Sequence, residues 1–69
     1  MTFWNLEAEQ ARYAMTNEKT AQHLGITRAA YETKKKNGRF TIEEIKKLCE
    51  LFGCGFDYLF STDREKAGA

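Results

Sequence analysis

The residues of this 69-residue chain best equipped for chemistry are its cations. Between Arg28 and Arg39 stand five basic residues, Arg28, Lys34, Lys35, Lys36 and Arg39, against one acid, Glu32. That stretch carries +4, and because the whole chain carries only +1, the remainder sums to −3. A near-neutral chain with its positive charge gathered in one segment has a polarised field, the arrangement suited to docking a polyanion on one face. A lysine-rich helix end that offsets the negative pole of the helix dipole produces the same clustering.

Catalytic and metal chemistry find little to work with. General acid-base catalysis needs paired titrating groups in a cleft, whereas the lone histidine, His23, falls on a short exposed helix and the acids scatter among helix starts. Cys49 and Cys54 lack C-x-x-C spacing, and one histidine does not complete a zinc set. The expectation is therefore no enzyme: no catalytic residue, no cofactor, no metal and no small-molecule substrate, in a chain too small to enclose a water-excluding ligand pocket. With no apolar signal segment, both cysteines are expected as small buried hydrophobes in a reducing cytoplasm. No apolar run approaches the roughly 18 residues of a membrane span.

The elements that must hold the basic stretch can be read from caps and periodicity. A hydrophobic content of 42% suffices for one small core, and the absence of proline favours helices. A first helix is expected over residues 5–14, with Asn5 as N-cap, Glu7 and Glu9 near the positive pole, and Leu6, Ala11 and Tyr13 as a thin inward face. Phe3 and Trp4 before it either cover the core or offer a dimer contact. Thr16 caps a second helix over 17–24 that stops at Gly25. Ile26 and Thr27 then restart a third helix within about three residues, Ile26 and Tyr31 having the spacing of a hydrophobic staple.

This third helix should run over 28–36 and stop near Asn37-Gly38. Only Ala29, Ala30 and Tyr31 are apolar on it, so most of its circumference must face solvent or a polar partner. Thr41 and Glu44 form a capping box for a fourth helix, with Phe40 and Ile45 as its staple and Ile42, Ile45, Leu48, Cys49 and Phe52 directed inward until Gly53. Gly55 precedes a last short helix of Phe56-Asp57-Tyr58-Leu59-Phe60, and residues 61–69 read as a frayed tail. The fold class is thus all-α: one compact five-helix domain over residues 1–60.

The order and spacing of Thr16-Asn17-Glu18, Ala21, Leu24-Gly25-Ile26-Thr27, Tyr31, then Ile42, Ile45, Leu48-Cys49, Phe52 and the closing Phe56-Asp57-Tyr58-Leu59-Phe60 resemble the lambda-repressor-like, XRE-type (Cro/C1-type) helix-turn-helix family. The resemblance covers about two-thirds of the chain. It implies that the helix over 28–36 enters the major groove of double-stranded DNA with its N-terminal residues at the base edges. Arg28, Ala29, Glu32 and Thr33 then face bases: Arg28 suits guanine, Glu32 accepts from cytosine, and Ala29 or the Thr33 methyl meets thymine. Asn17, Thr27, Lys36, Asn37 and Arg39 become phosphate contacts that set register. For Glu32, a solvent-facing pair with Lys36 at i,i+4 carries equal weight.

The resemblance further implies a transcriptional repressor or regulator of the phage or mobile-element kind, acting as a homodimer. Phe3, Trp4, Phe56, Tyr58 and Phe60 are the candidate dimer contacts. The competing reading is a protein-interaction module, antirepressor or antitoxin-like, that kept the fold and lost DNA binding. Four residues depart from the family pattern: Thr20 and Lys34 stand where apolar residues are usual, Gln10 replaces a commonly basic residue, and Glu9 a commonly apolar one.

Overall fold

Three threonines begin helices, each by lending its hydroxyl to an amide that the first turn leaves unbonded. Thr16, Thr27 and Thr41 accept from the backbone N–H groups of Lys19, Ala30 and Glu44, each at 3.1 Å. The computed structural model describes residues 2–63, and among these it contains α1 (Trp4–Arg12), α2 (Asn17–Leu24), α3 (Arg28–Asn37), α4 (Ile42–Phe52) and α5 (Phe56–Leu59). The expected tail is only partly in view: Ser61, Thr62 and Asp63 follow α5 without helix, and residues 64–69 lie outside the described residues.

The first helix differs from expectation at both ends. Phe3, not Asn5, occupies the N-cap position, with no side-chain cap bond. Asn5 is buried inside α1, where its Nδ2 donates to the Tyr58 carbonyl at 2.8 Å. A tertiary bond that stitches α1 to α5 has displaced a local cap, because a buried amide must find partners. At the other end α1 stops at Arg12 rather than Ala14. The Met15 N–H reaches back to the Gln10 carbonyl at 2.7 Å and the Ala14 N–H to the Ala11 carbonyl at 3.2 Å, with Ala14 left-handed at φ 54°. This is a Schellman stop built on alanine instead of glycine. Of the expected inward face Leu6 is buried, whereas Ala11 and Tyr13 are exposed and α1 turns Glu9 and Gln10 inward in their place.

The buried apolar residues are Phe3, Leu6, Ala21, Leu24, Tyr31, Leu48, Phe52 and Leu59. Around them α2 packs on α3 and α4, while α5 closes against α1 and α4. Phe3 folds under, its ring 5.3 Å from Phe60 and 6.2 Å from Phe40, so it belongs to the core and not to a dimer surface. On α4 the capping box forms as expected, but Ile42 is 73% exposed and Glu44, two residues on, takes the inward position. Helical geometry decides this: Glu44 lies four residues before the fully buried Leu48, whereas Ile42 lies six before it. Cys49 and Cys54 are unpaired and half-buried against the core rather than fully enclosed, and burial pushes both thiols up from their ordinary range.

Candidate nucleic-acid interface

The tight turn between α2 and α3 is set by Gly25, whose φ of 76° suits a residue without a Cβ. Its geometry is again a Schellman stop, with the Ile26 N–H bonded to the Ala21 carbonyl at 3.0 Å. Ala21 is buried where the two helices meet, Tyr31 is fully enclosed, and Ile26 packs against the same cluster. With Tyr31 pointing inward, α3 leaves Arg28, Ala29, Thr33 and Lys36 exposed. Thr27 is exposed at the helix start, and its hydroxyl is engaged in the cap. Asn37 and Arg39 are exposed at the far end, where Gly38 turns left-handed at φ 74° and Asn37 Oδ1 accepts from the Arg39 N–H at 2.9 Å.

Three of the expected site residues come together. Asn17 Nδ2 donates to Glu32 Oε2 at 3.0 Å, and Arg28 Nε lies 3.8 Å from the same oxygen. The partner of Glu32 one helical turn away is therefore Arg28 and not Lys36. Lys36, Asn37 and Arg39 stand apart from this group, at the C-terminal end of α3. The nine residues do not form one cluster: Arg28, Glu32 and Asn17 are joined at the N-terminal half, while the remaining candidates are dispersed along the exposed side.

The basic stretch also proves less free than its sequence suggested. Lys34 Nζ bonds Glu44 Oε1 at 2.9 Å, and Lys35 Nζ bonds Glu7 Oε1 at 2.9 Å. Two of the five cations are thus neutralised inside the molecule and Arg28 stands beside Glu32, so the uncompensated charge of the stretch rests on Lys36 and Arg39. Burial alone would raise the Glu44 carboxyl, but the Thr41 N–H and the Lys34 ammonium outweigh it and hold that carboxyl below the ordinary glutamate range. Tyr31 is displaced the other way, its phenol pushed well up by burial and by the charge of Glu7.

Lys35 and Gln10 anchor a network that sequence reading missed. The Lys35 ammonium donates to Glu7 Oε1, Gln10 Oε1 and Asn17 Oδ1 at 2.9, 3.1 and 3.0 Å. Gln10 accepts in addition from the Tyr31 hydroxyl at 2.6 Å, and its Nε2 donates to the Met15 carbonyl and to Asn17 Oδ1. A signal was present: Lys34 and Lys35 lie three and four residues after Tyr31, as Glu9 and Gln10 lie after Leu6, so each pair had to share the face of a buried residue. Charge and polarity disguised them as surface.

The four departures from the family pattern find physical partners in the same way. Thr20, fully buried, returns its hydroxyl hydrogen to the Thr16 carbonyl at 2.8 Å. Lys34 reaches the α4 cap, Gln10 holds the network, and Glu9 accepts from the Tyr58 hydroxyl at 2.9 Å with Arg12 at 3.7 Å. No buried side-chain nitrogen or oxygen among the described residues is left unbonded. Nor does any group of three His, Cys, Asp or Glu side chains stand where it could hold a metal ion, and no helix there is long and apolar enough to cross a membrane.

Comparison with known proteins finds no match among curated proteins or solved structures. At the level of families the outcome is different, for the model of the Cro/C1-type helix-turn-helix DNA-binding domain matches residues 5–65. That match spans nearly the whole chain, including the α2–turn–α3 unit and its inward-facing polar residues, and this protein belongs to the Cro/C1-type helix-turn-helix DNA-binding family.

Proposed function

We propose that this protein is a sequence-specific transcriptional repressor of the phage or mobile-element kind, binding a two-fold site as a homodimer with α3 in the major groove. The observation that carries the reading is the division of α3: Tyr31, Lys34 and Lys35 are turned toward the body, leaving Arg28, Ala29 and Thr33 exposed on the side that a groove would receive. Arg28 offers a fork for guanine, Ala29 and Thr33 offer methyl groups for thymine, and the carboxylate of Glu32 is an acceptor for cytosine. Lys36 and Arg39 supply phosphate contacts, with Asn17, Thr27 and Asn37.

The seat for a second copy lies near the end of α3. Phe56 is 54% exposed, stacked on Phe60 at 5.4 Å, and lines a cleft with Phe40, Ile45, Asn37 and Gly38. Exposed Ile42 and Trp4 are further apolar candidates, whereas Tyr58 is committed to Glu9.

Binding of the protein to duplexes selected from a random library tests the reading. Arg28→Ala is expected to weaken binding and relax preference at one base position, while Lys36→Ala weakens all sequences alike and lowers the salt slope by about 0.9. Equal, sequence-independent losses from both substitutions overturn base reading by Arg28. The internal pairing of Lys34 and Lys35 favours one competing reading, a protein-interaction module with little affinity for DNA. A complete absence of duplex binding at low salt would decide for that module.

A further inference from the structure

We propose that Lys35 is the positioning residue of the reading helix: it touches no DNA, and it fixes the direction in which Glu32 and Arg28 face the bases. The inference rests on the DNA-binding reading given above. An ammonium has three hydrogens to donate, and Lys35 has placed all three, on Glu7 of α1, Gln10 of α1 and Asn17 of α2. Its side chain is only 10% exposed and its Nζ lies 5.3 Å from the Tyr31 ring centre. No hydrogen of this cation is left for a phosphate.

The consequence passes through an amide whose orientation is forced. Asn17 Oδ1 receives two donors, Lys35 Nζ at 3.0 Å and Gln10 Nε2 at 3.1 Å, which fills its acceptor capacity. Its Nδ2 is then compelled to the opposite side, where it donates to Glu32 Oε2, the oxygen that Arg28 also approaches. Gln10 cannot turn over to release the arrangement, since its own oxygen is held by Tyr31 and Lys35 and its nitrogen by the Met15 carbonyl and Asn17. A chain of directed bonds therefore runs from α1 through Lys35 and Asn17 to the base-facing carboxylate. Directional hydrogen bonds transmit orientation in a way that apolar packing does not.

Lys35→Met removes the ammonium and keeps an unbranched apolar stem over Tyr31. It orphans nothing buried, because Gln10 Oε1 still accepts from Tyr31 and the Glu7 side chain, 50% exposed, returns to water. The measurement is the ratio of Kd values for a scrambled duplex and a library-selected duplex of equal length, taken across a salt series. For Lys35→Met, which leaves Asn17 Oδ1 with the Gln10 Nε2 donor alone, the ratio is expected to fall about threefold, part of one well-made base contact, with the salt slope unchanged. Glu7→Ala, at the exposed rim of the same network, is expected to lower the ratio less, and it carries the test should Lys35→Met not fold. A ratio that stays at the wild-type value overturns the proposal, and a slope reduced by about 0.9 alongside it makes Lys35 a phosphate contact instead. Failure of the wild-type protein to prefer the selected duplex is visible before any variant is compared, and it removes the DNA-binding reading itself.

Discussion

The two sides of this small domain are held together by different physics. Around α4 and α5 the contacts are mostly apolar: Phe3, Phe40, Phe56 and Phe60 form a chain of rings whose neighbouring centres lie 5.3–6.2 Å apart, over Leu48, Phe52 and Leu59, with separate polar bonds at Tyr58 and Glu44. Around α1, α2 and the inner face of α3 the buried Leu6, Ala21, Leu24 and Tyr31 are overlaid by a polar network, with Glu7, Gln10, Asn17, Tyr31 and Lys35 joined by hydrogen bonds of 2.6–3.1 Å. Apolar packing scales with buried area and tolerates small rotations of its members. A saturated polar network tolerates neither rotation nor omission, so it favours one orientation of α3. The difference assigns the aim of the reading helix to the side that carries the polar network.

Substitutions on the two sides can break that assignment. The largest effect is expected from Leu48→Ala, which opens a cavity under a fully buried residue and should cost about 2–5 kcal/mol in denaturant unfolding. Among molecules that remain folded, the preference for a selected duplex should persist. Loss of preference in step with stability would show that the apolar side also aims α3.

Glu44→Gln sits on the seam, where α3 meets the α4 cap. Its carboxyl accepts from the Thr41 N–H and the Lys34 ammonium, both at 2.9 Å, and glutamine replaces the charge while sparing the cap geometry, so a loss of about 1–2 kcal/mol at neutral pH is expected. Because the folded carboxyl is held below its ordinary value of 4.5, its contribution is complete above that pH and is lost as pH falls through the lower folded value. Unfolding midpoints measured across acidic pH should decline below about 4.5 in the wild type and more shallowly in Glu44→Gln. Parallel declines would remove Glu44 from the acid response.

The smallest effect is a gain. Ala14 holds a left-handed φ of 54° at the stop of α1, so Ala14→Gly should relieve strain and, after the entropic cost of glycine, stabilise the protein by about 0.5–1 kcal/mol. Thermal melting reads the change directly. A loss instead of a gain would mean that the α1 stop depends on the alanine side chain and not on its backbone geometry.

What the amino-acid sequence determined by itself was local and periodic. Thr16, Thr27 and Thr41 mark helix starts because a hydroxyl bonds an amide three residues on whatever the rest of the chain does, and Gly25, Gly38 and Gly53 mark stops because a left-handed residue is cheapest without a Cβ. The stripe of Leu48 and Phe52, the helix-turn-helix unit and the five-helix order were legible from those signals. Tertiary structure decided where long polar side chains go. Asn5 offered itself as a cap and became an inter-helix bond; Ile42 had the composition of a core residue and the phase of a surface one; Lys34 and Lys35 looked like a surface charge run and are turned inward against Glu44 and Glu7. Their partners lie 10 and 28 residues away in the chain, and only packing α1, α3 and α4 together brings those charges within hydrogen-bond reach.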